Sequence, residues 1–340
     1  MNDPISSSVP PPNTTLVTVT YGDRIDYLHA LLQRAFCIEN VGRAVIVSNA
    51  STSDISLLEE QWAPRLRVIS LETNTGSANG YAVGIAAALA DEADYIWLMD
   101  DDNAPMRGAL SALHDRLATS SAVHGMENAA VLGFRPTHQS AIAQGIEARH
   151  AYPPRSSFLG FHYRQIAFKI WHRIRPAPGT HRPASIVSMP YAPYGGLLAS
   201  AMLFKRIGLP KCELVLYADD TEYTYRITAG GGVIELVTCA EIEDLEHSWY
   251  LREAHPNNFL RLLHGRSDFR AYYGIRNLAW FERNVWRTSW LEYALNSAIY
   301  MILLKYFALR SGQPQRYRLL RDAIREGRTN QLGLCDRFPL

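Results

Sequence analysis

Tyr95–Asn103 reads YIWLMDDDN, five residues of buried-strand texture running straight into three carboxylates. A buried strand that ends in three acids carries heavy mutual repulsion unless a cation is present. In an open α/β sheet, the carboxyl ends of the strands are where ligands bind. Alternation in an extended segment puts Asp100 and Asp102 on one side and Asp101 on the other. Two carboxylates at that spacing suit oxygen-only ligation of Mg²⁺ or Mn²⁺ bridged to a diphosphate. The bland alternative is a solvated loop in which Asp102 or Asn103 caps a helix at Met106.

Working outward, the first 135 residues alternate strand and helix texture. Leu16–Tyr21, Arg43–Asn49 and Leu66–Leu71 are short apolar, β-branched runs. Between them, Ile25, Leu28, Leu31, Leu32 and Phe36 recur at helical spacing, Asp54–Trp62 reads as a second helix with Asp54 as its cap, and Asn79–Ala90 as a small-residue helix. Such alternation predicts a parallel sheet covered on both faces. The unusual polar clusters fall at its strand ends: Tyr21-Gly22-Asp23, Ser48–Ser51 and Asp100–Asn103. Asn74–Gly80, small and polar before a helix, allows close backbone approach to an anion. Residues 136–185 have weak periodicity, with one helix expected around Phe161–Trp171.

A second acidic cluster, Tyr217–Glu222, opens a helix expected to run from near Asp219 to the glycines Gly230–Gly232. Asp219 is a credible cap, with Glu222 at capping-box spacing and also facing Arg226 at i+4. Asp220 has no such bland role. It projects from the first turn, where the helix dipole favours an ionised carboxylate, as a general base requires. His247 follows a strand expected at Gly232–Thr238 and the acidic stretch Glu241–Glu246, a position open to a metal ligand or to an ordinary histidine.

The 340 residues are 47% hydrophobic and 20% charged, which excludes disorder and collagen-like repeats. The net charge of +1 divides unevenly: residues 261–340 hold 14 Lys+Arg against 6 Asp+Glu, the remainder 20 against 27. Four scattered cysteines, Cys37, Cys212, Cys239 and Cys335, argue for buried free thiols rather than disulfides or a thiolate zinc site. The N-terminus lacks signal-peptide character and Tyr293–Leu309 is too interrupted to span a bilayer, so a cytoplasmic protein is expected. The tail, with an aromatic and apolar Trp286–Leu309 and arginines at 310, 316, 318, 321, 325 and 328, reads either as a helical hairpin packed on the body with its arginines solvated, or as an interfacial platform on an anionic membrane surface. It could also mediate a homo-oligomer.

In order, Thr18–Tyr21, Val47–Ser51, Asn74–Gly80, Asp100–Asn103, Gly195-Gly196, Asp219–Tyr223, His247 and Tyr272–Asn277 resemble the family 2 glycosyltransferases of the GT-A fold, most of all the bacterial branch of rhamnosyl- and galactofuranosyltransferases. The resemblance implies a Rossmann-like mixed sheet, mostly parallel, in a catalytic domain over 15–258 (a nucleotide-sugar half at 15–135 and an acceptor half at 186–258), with a tail at 1–14 and a helical extension at 259–340. It implies that Thr20, Tyr21, Asn49, Asn74, Gly76, Asn79, Asp100 and Asp101 bind a UDP- or dTDP-linked sugar. Asp100, Asp102 and His247 would hold Mn²⁺ or Mg²⁺. Asp220 would be the base of an inverting transfer. Gly195, Gly196, Asp219, Glu222, Trp249 and Arg276 would meet the acceptor, a glycan or lipid-linked glycan of the cell surface. Ser48 and Gly22 depart from the residues that relatives often carry there, Asp and Asn, which leaves the nucleotide open.

Three rival chemistries use similar acids. Tyr217–Asp220 also fits the YxDD turn of polymerase palms, but these acids lie in the acidic part of the chain, and nucleic-acid binding needs phosphate neutralisation. A haloacid-dehalogenase-like phosphatase needs a well-placed lysine, and Lys169, Lys205 and Lys211 lack the context. A sugar nucleotidyltransferase would want a basic glycine-rich loop near the N-terminus.

Overall fold

A computed structural model describes residues 13–143, 145–146, 148–166, 184–246 and 257–340. Strands β1 (Thr14–Gly22), β2 (Arg43–Ser51), β3 (Leu66–Leu71) and β4 (Tyr95–Asp100) are mutually parallel, ordered 3-2-1-4. They are joined by α1 (Ile25–Cys37), α2 (Ser56–Trp62) and α3 (Ser77–Ala90). β4 lies between β1 and β8 (Leu197–Ser200), which runs antiparallel to it. That central place explains the uninterrupted apolar run: Ile96, Trp97, Leu98 and Met99 have no exposed surface.

Beyond β8 the sheet continues through β6 (Ala129–Phe134) and β9 (Val233–Asp244), with β7 (Ile186–Met189) and β5 (Asn103–Pro105) antiparallel on β9. The sheet is therefore mixed, its first four strands all parallel. α4 (Ala109–His124), two short helices α5 (Ser140–Ala143) and α6 (Ala148–Ala151), α7 (Ala201–Ile207) and α8 (Asp219–Ala229) complete the body. One core joins α3, α7 and α8 to one face of the sheet; a second joins α1, α2 and α4 to the other. Leu28, Leu31 and Leu32 of α1 are fully buried, each worth about 1.5–3 kcal/mol. A Cβ on Gly84 would lie 2.5 Å from Val17 Cγ1, so only glycine lets α3 sit this close to β1.

Helices α9 (Asn258–His264), α10 (Asp268–Phe281), α11 (Trp290–Arg310) and α12 (Pro314–Arg328) form a layer with its own aromatic core, including Phe158, Tyr273, Tyr293 and Tyr300. Asn257, Ser267 and Ser289 cap α9, α10 and α11. Between α10 and α11 a π-helical turn, Glu282–Trp286, points Glu282 inward, where its carboxylate accepts from Gly160 N (2.9 Å), Ser157 Oγ (3.2 Å) and the Leu159 amide. Burial pushes this carboxyl up to about 7. Not every tail arginine is solvated: Arg316 is buried and donates to Leu262 O and Ser267 O.

Several local expectations are corrected. Asp54 sits one residue before the α2 cap, Ile55, and accepts from Ser56 N (3.1 Å). No helix begins at Met106; Asn103–Pro105 are drawn into β5 by β9, and α4 starts at Ala109 behind Gly108. The strand expected to end at Thr238 continues to Asp244, because its second half pairs with β5. The thiols are free but not buried: Cys37, Cys212 and Cys239 are exposed and Cys335 is partly so. Of the helix expected around Phe161–Trp171, only a turn at 164–166 lies within the described residues. Among those residues no helix is long and apolar enough to cross a membrane.

Candidate active site

The carboxyl ends of β1, β4, β6 and β9 bring Arg24, Asp100–Asn103, Arg135 and Asp244 together. The chain turns immediately after Asp100, so the three acids do not alternate as an extended segment would. Asp101 and Asp102 meet the same guanidinium instead. Arg24 Nε donates to Asp101 (2.8 Å), its Nη2 reaches Asp102 (3.1 Å) and its Nη1 Glu246 (2.8 Å). Arg135, 4% exposed at its side chain, bridges Asp100 (2.8 Å) and Asp244 (2.6 Å). The other Asp100 oxygen accepts from Tyr81 Oη (3.0 Å).

Burial opposes charge on these arginines, yet the carboxylates outweigh it and hold both guanidinium pKa values above the ordinary one. Burial pushes Asp101 up to about 6, against the pull of Arg24. Asp102 rises to about 7 through burial and the neighbouring charges of Asp100 and Asp101.

Gly195 fixes how closely the chain can approach this cluster. A Cβ there would lie 2.6 Å from Asp100 Oδ2 and 2.5 Å from Arg135 Nη1, so any side chain would fill the space beside the acid. Gly196 follows with φ +98°, over Gly133 and Ile242. The donor set offered by Asp100 and Asp102 is hard oxygen only, the kind that suits Mg²⁺ or Mn²⁺. Among the described residues no group of three metal-binding side chains forms. His247 and Trp249 lie outside the described residues.

The second acidic cluster is built differently. Val215, Tyr217 and Ala218 all have positive φ (66°, 66° and 59°), a backbone region costly to non-glycine residues and most of all to a β-branched one. Two clamps hold it. Asn277, fully buried on α10, directs its amide Nδ2 at the carbonyls of Leu214, Leu216 (2.7 Å) and Tyr217 (3.1 Å). From the other side, Ala78 N donates to Val215 O (3.1 Å), and Gly76, with φ +85°, lies so close that a Cβ would strike the Val215 carbonyl. This turn delivers Asp219 and Asp220 to the first turn of α8, with Ala218 rather than Asp219 as the cap.

Asp219 accepts from Ser77 Oγ (2.9 Å), and Asp220 from Thr221 N (2.6 Å). Both carboxyls are pushed up by burial; the Asp220 charge raises Asp219 further, and Asp100 raises Asp220. Tyr194 is raised well above its usual range, by burial and then by Asp219 and Asp220.

The remaining expected residues divide. Thr20 is buried at the end of β1, while Tyr21 is 47% exposed beside Arg24, whose guanidinium stands 5.3 Å from its ring. Asn49 is buried and holds the glycine-rich loop, donating to Asn74 Oδ1 (2.8 Å) and accepting from Thr75 N (2.9 Å); Asn79 donates to Thr75 Oγ1 (2.9 Å). Glu222 does not face outward for an acceptor: both its oxygens bind Arg226 (2.9 and 2.7 Å). Arg276 is likewise turned inward, 1% exposed, donating to Asn277 Oδ1 and Gly333 O.

Sequence reasoning missed Arg24, Arg135 and Asp244, and it took Asn277 only as the end of the Tyr272–Asn277 segment, not as a clamp on the turn before α8. The first three follow the strand-end rule: Arg24 lies one residue past the quoted Tyr21-Gly22-Asp23, Arg135 directly after β6, and Asp244 ends β9. Asn277 carries no local signal, since its role depends on a turn about sixty residues earlier in the chain.

With this geometry in place, the family described as Glycosyl transferase family 2 matches residues 15–173. No curated protein matches the sequence. Among solved structures, GalNAc-T7 with UDP, GalNAc and Mn²⁺ is similar at 12% identity and TM-score 0.50, covering 72% of this chain and 45% of that one. The mannosyltransferase PcManGT from Pyrobaculum calidifontis, in complex with GDP-Man and Mn²⁺, is similar at 13% identity and TM-score 0.50, covering 92% and 74%. The chain thus spans less than half of the first and about three quarters of the second. At such identities the likeness is one of fold, the GT-A fold.

Proposed function

We propose, from the premise that residues 15–173 are a family 2 glycosyl transferase domain, that this enzyme moves a hexose from a nucleotide-diphospho-sugar to a hydroxyl of a growing glycan, with inversion at the anomeric carbon. The carrying observation is the convergence of two unlike acidic clusters: Asp220 opens α8 close enough to Asp100 for the Asp100 charge to raise its carboxyl.

Asp100 and Asp102 would hold a divalent cation, with His247 as a further ligand. When bound, that cation supplies charge neutralisation to the departing diphosphate. Arg24 and Arg135 hold the carboxylates in place and offset part of the burial that disfavours their charge. Asp220 accepts the proton of the acceptor hydroxyl as its oxygen bonds to the anomeric carbon; the carbon–phosphate oxygen bond breaks on the opposite face and the nucleoside diphosphate leaves with that electron pair. Ser77 and the Asn277 clamp fix Asp219 and the turn, and so fix the reach of Asp220.

The donor nucleotide is tested by melting the purified protein with Mn²⁺ and UDP, dTDP or GDP, each against Mn²⁺ alone. A ligand at about a hundred times its Kd stabilises by about 2.7 kcal/mol, a shift of a few degrees. One nucleotide is expected to produce it, and Asp102→Asn to abolish it. A chain that shifts with no nucleotide overturns the transferase reading and returns the phosphatase to consideration.

A further inference from the structure

We propose that the outward face of α11 is a docking surface for an anionic lipid bilayer. A surface helix ordinarily turns its apolar residues in and its polar ones out; α11 buries Tyr293, Tyr300, Leu304 and Ala308 but carries a second apolar face outward. Asn296 and Ser297 are buried, Asn296 accepting from Tyr163 N (2.8 Å) and donating to Ser156 O (2.9 Å). Leu291, Leu295, Ile302, Tyr306 and Leu309 are instead 44–79% exposed. They fall on one side of a 21-residue helix, a stripe roughly 30 Å long. Single exposed apolar residues are ordinary, but a contiguous stripe of this length marks a contact surface.

The ends of the stripe identify the occupant. At one end Trp290, itself exposed, lies under the guanidinium groups of Arg287 (4.7 Å) and Arg283 (5.8 Å). At the other, Tyr306 stands between exposed Lys305 and Arg310. Amphipathic rings and long basic chains flanking an apolar strip match the boundary between acyl chains and headgroups. The one carboxylate on the helix, Glu292, is already paired with Arg164 (2.5 Å).

A second copy of the chain fits less well. Antiparallel pairing through this face would set Arg283 and Arg287 against Lys305 and Arg310 of the copy, like charge on like. An anionic surface complements both ends, and the charge excess of residues 261–340 is of the same sign.

The test is sedimentation of the full chain with phosphatidylcholine vesicles, with and without one part in three phosphatidylglycerol, at low and high salt. The expected result is binding to the anionic vesicles only, weakened by salt, and lowered about tenfold or more by Leu295→Glu with Ile302→Glu. Both positions are exposed, so the melting temperature should hold; should it fall, Ile302→Gln with Lys305→Gln serves as the second variant. The proposal is overturned if the wild-type chain ignores anionic vesicles, if the variants bind as well as wild type, or if light scattering shows a dimer that the variants dissociate, which gives the face to a second copy. None of these readouts depends on the transferase reading.

Discussion

The acids at the end of β4 and the acids at the start of α8 look alike in sequence, but the structure equips them in opposite ways. Asp100, Asp101 and Asp102 each meet a guanidinium, from Arg135 or Arg24. Asp219 and Asp220 are held by hydroxyls and a backbone amide instead, Asp219 accepting from Ser77 and Asp220 from Thr221. The first group is a charged frame suited to holding a cation and phosphates. The second is a pair of carboxyls raised by burial, with the Asp220 charge adding to Asp219 and the Asp100 charge to Asp220, and a raised carboxyl is suited to moving a proton. Counting acids identifies both clusters; the partners assign them different work.

The hardest way to break this contrast is to remove the carboxylate proposed as proton acceptor. Asp220→Asn is expected to lower sugar transfer by roughly 10²–10⁴-fold while leaving the nucleotide-dependent thermal shift in place. An equal loss of both would merge the two clusters into one function.

The frame is broken next, through its arginines. Arg135→Met strands Asp244 and one oxygen of Asp100 in a buried setting, and urea unfolding should show a loss of about 3–5 kcal/mol. Arg24→Met, at a wetter site, should cost roughly 1–3 kcal/mol. A reversed order would mean that Arg24, not Arg135, is the structural member.

Protonation sharpens the comparison further. A carboxyl whose folded pKa is raised favours the native state at low pH, and that contribution is lost as pH climbs from the unfolded value to the folded one. For Asp219 the window runs from 3.8 to about 7. Asp219→Asn should therefore gain stability relative to wild type between pH 5 and pH 8, by about 1–3 kcal/mol, measured by unfolding at the two values. Transfer by the wild-type enzyme should rise across the same region, as Asp220, raised to about 6, becomes ionised.

The smallest effect belongs to Glu222. Its carboxylate is buried against Arg226 one turn along α8, so Glu222→Gln, which still offers the guanidinium a hydrogen-bond acceptor, should cost about 1 kcal/mol and leave transfer kinetics unchanged. A raised KM for the acceptor would restore Glu222 to acceptor binding.

The strand and helix periods of the first 100 residues were legible because they are local: a central strand reads as Ile96–Met99 wherever the rest of the chain goes, and α1 shows its buried face in the spacing of Leu28, Leu31 and Leu32. The two acidic clusters were legible for the same reason, as was the placing of polar residues at strand ends. What the sequence could not determine was who neutralises whom. Arg24 meets Asp101, and Arg135 meets Asp244 across more than a hundred residues, because the sheet runs β1-β4-β8-β6-β9 and brings those strand ends side by side. Likewise Glu222 and Arg276 are acceptor-like in a motif and buried partners in the fold, and Leu295 and Ile302 read as core in a helical pattern but face outward. Periodicity is a property of neighbouring residues and survives in the sequence. Charge pairing and the direction a helix faces are set by strand order and by which surfaces the other elements have already covered, and those were decided only when the chain folded.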